Sequence, residues 1–475
     1  MNRRLIDMAV VLVCAAFALR SLGLIDDTSL WSDELYSVGK SFQSSYSDLL
    51  AQLRQDTHPP FYYSLLWLWG FVAGQSGLCL RLLSWMAYVV GGLLMTRQAW
   101  DLAPPPKQRS ALLLAALMAF CSPYPLRFSI EGKSYALLTA LVALAWWWRQ
   151  RRQPVLYGLA VLLASLTHFY GLFLFAATAF WDAARHRISL SAAALLALLP
   201  SLGWIAYAWK YLFGSSAAAW IGRPDFALLE DTLARALGPW PFPKLGVALI
   251  ILWALRRWGC QCPCRDEEFP SRKSLLDWSG VIPSALMVIG VVVVSFVKPL
   301  AFSRYFVVLV PAFLPWLAVQ GAQLPLNQWG RRFSLIALLL AFGLFWWQGF
   351  EPLQARGMDA SREADNFRAV SQATAGEPFR FAPRPRLFNL SDRMEQAASR
   401  LPRMGGSWGD EDDLEELLKQ RPFPDSIWIA ASGPESVMRH RLIPLNALAE
   451  SNDYRCQAMP GMPSFTRLLI CQNTK

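Results

Sequence analysis

The sequence predicts a polytopic, all-α membrane protein that carries a small α+β domain at its C-terminal end. Three observations lead there. Only 17% of the 475 residues are charged while 54% are hydrophobic, and a soluble chain uses about 25% charged residues to cover its surface. Up to about residue 350 the apolar residues are gathered into long runs ended by Arg clusters. Beyond that point Pro, Arg and acidic residues become common and the apolar runs shrink to strand length. A cytosolic enzyme, a secreted disulfide scaffold and a nucleic-acid-binding protein are excluded, although the net charge of +11 taken alone would fit the last.

The excess charge is localised. Residues 1–350 hold 29 Lys/Arg against 17 Asp/Glu, and residues 351–475 hold 16 against 17. The surplus belongs to the membrane part, where Lys and Arg collect in cytoplasmic loops. The first apolar run, 5–25, follows Asn2-Arg3-Arg4 and is long enough to cross ~30 Å of hydrocarbon. The N-terminus is therefore read as cytoplasmic. No small-x-small site closes the run, so it reads as an uncleaved span and not as a signal peptide.

Basic clusters recur at Arg97 with Lys107 and Arg109, at Arg149 with Arg151 and Arg152, at Arg185 with Arg187, at Arg256 with Arg257, and at Arg331 with Arg332. If all five are cytoplasmic, only one of the two apolar segments before Arg97 can cross. Segment 82–95 ends in a basic cluster and is the span. Phe61–Ala73 has 13 residues, rich in Trp and Tyr, which suits a re-entrant or interfacial helix. Residues 26–81 then form one long external loop that folds back onto the membrane surface.

The remaining spans fall near 109–122, 135–148, 155–167, 169–183, 189–209, 244–258, 279–297, 305–322 and 333–349. That makes about 11 crossings, with the C-terminus outside. The pair 155–167 and 169–183 reads as a hairpin turning at Thr167-His168-Phe169-Tyr170-Gly171, because the basic clusters on either side both read as inside. A membrane domain, 1–350, is followed by an external domain, 351–475. In the latter, Ser426–Ala431 and Arg467–Cys471 read as strands, and Glu411–Gln420 as an amphipathic helix with Leu414, Leu417 and Leu418 on one face. The eight Cys make no disulfide framework, although Cys456 and Cys471 could pair in an oxidising compartment. Cys260-Gln261-Cys262-Pro263-Cys264 lacks C-x₂-C spacing and reads as incidental.

In this topology the polar residues next to hydrocarbon gather on the outer side. The external loop carries Trp31-Ser32-Asp33-Glu34 and Asp56-Thr57-His58-Pro59-Pro60. Three other outward turns bear charge: Arg127 to Tyr135, His168 with Tyr170, and Lys298 to Tyr305. Charges beside lipid are costly and mark function. Carboxylates facing Lys and Arg suit a reaction in which an acid loses a proton and an anion departs.

The order WSDE, DTHPPFYY, RLLS, EGKSYALL, THFYG and SRY, spread over residues 1–350, resembles the GT-C glycosyltransferases. It is most similar to the bacterial protein O-mannosyltransferase-like group, which includes the lipid A aminoarabinose transferases. The resemblance implies a GT-C fold with juxtamembrane helices in the first external loop. It also implies an inverting transferase that moves a sugar from a polyprenyl-phosphate donor to a glycan, lipid or protein acceptor, outside a bacterial plasma membrane. Membrane lipids are then partners and nucleic acid is not.

Carried over residue by residue, the resemblance makes Asp33 and Glu34 the catalytic pair. Asp33 would be the general base, an ionised carboxylate within reach of the acceptor hydroxyl; the alternative is that it caps a helix starting near Glu34. His58 would be held at the membrane surface by Pro59 and Pro60, which open the next helix. Arg81, Lys133 (where the family more often has Arg) and Arg304 would stabilise charge developing on the leaving phosphate, or else anchor the chain in headgroups. Tyr135, Tyr305, His168 and Tyr170 complete the substrate-binding set, although a lone His in an apolar stretch also suits packing. Glu131 is a further acidic partner, while Asp225, Glu230 and Asp231 read as the solvated face of a surface helix. No cofactor is required; a divalent metal ion on Asp33, Glu34 and His58 is the open alternative. A transporter or flippase for a lipid-linked sugar is the competing function, but transporters place charge near the bilayer midplane, often in repeated halves. A polymerase or ligase would share the donor without accounting for WSDE.

Overall fold

The computed structural model describes residues 3–25, 32–121, 127–214, 221–237, 272–323, 426–432, 435–460 and 466–474, with positions 340, 343, 415, 418 and 419. Nine of the predicted spans coincide with described helices: Arg3–Leu24, Gly77–Leu102, Gln108–Cys121, Tyr135–Gln150, Pro154–Thr167, Phe169–Ala184, Ile188–Tyr207, Val281–Ser295, and a 3₁₀ turn at Ser303–Leu309 that runs on as Val310–Ala322. The spans expected at 244–258 and 333–349 and the Cys260–Cys264 run lie outside the described residues. Arg3–Leu24, Gly77–Leu102, Ile188–Tyr207 and Ser303–Ala322 are long and apolar enough to cross a membrane. Large apolar side chains such as Leu19, Phe180 and Leu196 are exposed on their helices, as expected where lipid, not water, is the solvent.

By internal contact the chain separates into two compact units: Met1–Gly23, Lys40–Trp69 and Arg81–Phe350 form one, and Leu24–Gly39, Gly70–Leu80 and Glu351–Lys475 the other. The core of the first is built from Val142, Trp146, Tyr157, Phe175 and their neighbours. The loop after the first span is helical, with Ser32–Ser41, Tyr46–Arg54 and Phe61–Ala73. Ser45 caps the second of these: its hydroxyl accepts the Asp48 N–H at 3.1 Å while donating to the Asp48 carboxylate at 2.7 Å, a reciprocal capping pair. Trp67 Nε1 donates to the Gln43 carbonyl at 3.1 Å, and the Tyr46 and Trp67 rings lie 5.5 Å apart. The Trp-rich helix is thus held by the loop itself.

The hairpin turns at one residue. His168 is extended (φ −159°, ψ 141°) and serves both as the C-cap of Pro154–Thr167 and the N-cap of Phe169–Ala184. The turn needs Gly171, because a Cβ there would lie 2.5 Å from the Ala164 carbonyl oxygen.

At the other end of these helices the charge reading needs amending. Arg149 is fully buried: its Nε and Nη2 grip the Asp182 carboxylate at 2.9 and 2.6 Å, while Nη1 reaches the Asp277 carbonyl at 2.9 Å. Arg187 bridges the same two carboxylates, at 3.0 Å from Asp182 and 2.5 Å from Asp277. Both arginines sit in basic clusters and were counted there as marks of a cytoplasmic loop, yet they are matched inside the bundle, joining Tyr135–Gln150 and Phe169–Ala184 to a short helix, Arg272–Trp278. Burial alone would raise the Asp277 carboxyl, but hydrogen bonds from Arg187 and Trp181, with the charges of Arg149 and Arg187, hold it down at about 2.

In the second unit, β1 (Ser426–Ser432), β2 (Tyr454–Ala458) and β3 (Thr466–Asn473) form an antiparallel sheet in the order β1-β3-β2. Ile427, Ile429, Leu442, Leu445, Ala449 and Cys471 form its core with the Glu435–Ser451 helix. The sequence reading had β1 and β3 but neither β2 nor this helix, whose Pro444 and mixed face hide its period. Of the helix expected at 411–420, positions 415, 418 and 419 are described, as helical. Cys456 and Cys471 stand opposite each other on β2 and β3 and are disulfide-bonded.

Candidate active site

The predicted site residues outside the Asp33–Glu34 pair come from five separate stretches, and the first unit brings most of them together. His58 lies just before the Phe61–Ala73 helix, with its ring 6.0 Å from Tyr63 and 5.9 Å from His168, both edge-on. His168 stands 4.9 Å from Tyr305, 6.0 Å from Tyr135 and 5.7 Å from Tyr170. Tyr305 closes the group at 5.3 Å from Tyr170 and 6.3 Å from Tyr135. Tyr170 is fixed by its hydroxyl, which donates to the Leu300 carbonyl at 2.8 Å. Lys133 is buried and close enough for its charge to act on both histidines. Ser84 donates to the Lys133 carbonyl at 3.3 Å. Arg81, fully buried, precedes Ser84 by one helical turn and so shares its face.

Two charged neighbours were not foreseen. Lys40 ends the Ser32–Ser41 helix and reaches the Asp56 carboxylate at 2.6 Å; Asp56 in turn takes the Thr57 N–H at 2.7 Å and lies 3.3 Å from His58 Nδ1. Burial alone would raise the Asp56 carboxyl, but Lys40 and His58 beside it hold it well below the carboxylate range. His58 is lowered by burial, against the pull of Asp56. His168 is pushed well below its ordinary value by burial, then by His58 and Lys133. Both rings are therefore neutral near pH 7.

Their partners also set their tautomers. A carboxylate only accepts, so His58 carries its proton on Nδ1 and presents Nε2 as a lone pair. His168 Nδ1 accepts the Tyr170 N–H at 3.1 Å, so its proton sits on Nε2. The pair thus presents one acceptor and one donor without net charge.

The remaining predicted residues are placed less fully. Asp33 is the second residue of its helix and so is not its cap; its side chain lies outside the described residues. Glu34 is fully buried on the same helix. Arg304 stacks its guanidinium 5.0 Å from the Phe302 ring. Glu131 is buried and pairs with Arg127 at 3.5 Å. Asp225 caps the Phe226–Leu237 helix by accepting the Leu228 N–H at 2.9 Å, while Asp231 accepts a hydrogen bond from Ser303 and so braces the Arg304-Tyr305 turn, more than a solvated face would. Among the described residues no three His, Cys, Asp or Glu side chains converge to hold a metal ion. Sequence spacing could not pair Lys40 with Asp56, since only the fold of the loop brings them together. The Asp beside HPP was the available signal.

No family model matches the chain. No curated protein matches it either. Its fold does match solved structures. ArnT from Cupriavidus metallidurans in the apo state superposes with a TM-score of 0.61 at 13% identity, over 97% of this chain and 97% of that one. The same protein bound to undecaprenyl phosphate gives 0.58 at 14% identity, over 98% of each chain. The chain has that fold, a polytopic helical membrane bundle with a C-terminal domain.

Proposed function

We propose that the protein is a membrane glycosyltransferase that moves a sugar, with inversion, from a polyprenyl-phosphate donor to an acceptor hydroxyl outside a bacterial plasma membrane. The observation that carries this reading is the convergence of Lys133, His58, His168, Tyr135, Tyr170 and Tyr305 from separate turns of a fold in which ArnT has been seen with undecaprenyl phosphate. The N-terminus is then cytoplasmic, and residues 351–475 form an external domain on the side of a glycan, lipid or protein acceptor.

Such a reaction needs a leaving-group site and a base. Lys133, with Arg81 and Arg304, supplies positive charge where the phosphate oxygens gain it. His168 Nε2–H adds a neutral donor, and the tyrosine rings give the sugar an apolar floor. Asp33 takes the proton of the acceptor hydroxyl as its oxygen forms a bond to the anomeric carbon. The electron pair of the breaking carbon–oxygen bond leaves with the phosphate. Glu34, buried one residue on, sets the field at that carboxylate.

The test separates the two roles. Lys133→Ala is expected to weaken binding of polyprenyl phosphate about tenfold, the scale of one hydrogen bond to a charged group. Asp33→Asn should leave that binding intact and lower transfer by about 10²-fold or more. Unchanged donor binding in the first variant, or full transfer by a folded second variant, refutes the assignment.

A further inference from the structure

The opposite end of the bundle holds a second site. The Tyr135–Gln150 helix begins at the tyrosine cluster and ends roughly 22 Å away at 1.5 Å per residue. There a cavity of about 430 Å³ opens between Leu102, Gln150, Arg151, Arg152, Leu275 and Trp278, within the size range of small-ligand pockets. Its charge is unbalanced. Asp101 on its rim is already matched by Arg97 at 3.0 Å and Arg151 at 2.7 Å, and receives the Trp147 Nε1–H at 3.3 Å. The Asp182 and Asp277 carboxylates are taken by Arg149 and Arg187.

That leaves Arg152. It is exposed, makes no ion pair among the described residues, and has its guanidinium 5.4 Å from the Trp278 ring. It also stands in the left-handed region at φ 52°, just past the helix end, where Gly is the favoured residue. An arginine kept in a conformation that favours glycine, over a cavity edged by Trp and Leu, points to a ligand with an anionic head and an apolar body.

We propose that this cavity binds the phosphate headgroup of an anionic phospholipid from the leaflet facing the basic end of the bundle. Arg152 holds the phosphate beside the Arg151–Asp101 pair, Trp278 lies at headgroup level, and Leu102 and Leu275 meet the upper acyl chain. Basic pockets between membrane helices bind acidic headgroups in this manner. A zwitterionic lipid brings a cation that Arg152 would repel, and free phosphate lacks the apolar part.

The experiment is lipid retention by the full-length protein in detergent, read by native mass spectrometry and independent of transfer activity. Phosphatidylglycerol is expected to bind in preference to phosphatidylcholine, and Arg152→Gln to weaken it roughly five-fold, the effect of one Arg near an acidic surface. Because Arg152 is exposed and makes no ion pair among the described residues, the variant should elute as the wild type does. Equal retention of the two lipids, equal retention by wild type and Arg152→Gln, or displacement of phosphatidylglycerol by inorganic phosphate alone would each overturn the proposal.

Discussion

The Lys40–Asp56 pair can be weighed directly. The two groups are 2.6 Å apart with side chains only 12% and 10% exposed, so each is largely cut off from water. Removing one partner of a buried pair costs about 3–5 kcal/mol, because the other charge stays behind uncompensated. Slight exposure places Asp56→Asn and Lys40→Met near the lower end, about 3 kcal/mol each. Asn keeps an oxygen for the Thr57 N–H, so charge is the main loss. In the double variant no charge is stranded, and it should be far less destabilised than the sum of the singles. Chemical denaturation of the full chain in detergent, followed by Trp fluorescence, gives the cycle. Additivity within about 0.5 kcal/mol would refute the pairing. The pH dependence adds a check. The Asp56 carboxyl is held below its unfolded value of about 3.9, so its contribution is complete above that pH and is lost as pH falls past it. The gap between wild type and Asp56→Asn should therefore stay constant down to about pH 5 and close only in stronger acid.

Two further substitutions probe the frame. Gly171→Ala drives a methyl to 2.5 Å from the Ala164 carbonyl and should cost about 1–3 kcal/mol by spreading the hairpin; a thermal midpoint equal to wild type would show that the turn is not tight. Arg149→Met leaves Asp182 and Asp277 with Arg187 and only a long, exposed contact from Arg185, and should lose about 3–5 kcal/mol in the same denaturation assay, whereas Arg185→Met, 3.7 Å from Asp277 on an exposed side chain, should change stability by under about 1 kcal/mol.

The helices were legible because their signal is local. Phe61–Ala73 was bounded to the residue, and the hairpin at His168 followed from two basic clusters that had to share a side, even though two arginines in them prove to be internal. Residue types also marked the candidate site, and HPP, KSY, the HFY turn and SRY come together in the fold. What was hidden depends on long-range geometry. Lys40 meets Asp56 only because the loop folds on itself through Tyr46 and Trp67. Arg149 reads as one more loop cation until Asp277, 128 positions on, arrives beneath it. β2 was missed because it is only five residues long: Tyr454 to Ala458 alternates apolar and polar, but so short a run is no signal by itself, and the strand exists by pairing with β3.

The loop pair also bears on how an anion could be bound beside a carboxylate. If a phosphate sat about 6 Å from an uncompensated Asp56, each unit of its charge would be repelled by about 3 kcal/mol at an effective dielectric near 20. That would undo most of what Lys133 contributes at similar range. Lys40 removes the conflict by cancelling Asp56 at contact distance, and Asp56 can still orient His58 through Nδ1. The histidines add no charge of their own, since burial keeps both neutral. Of these groups Lys133 is the one whose charge acts on both histidines. A site meant merely to pack helices would have no use for that arrangement, because apolar residues of similar volume would hold the turns together without two buried ions.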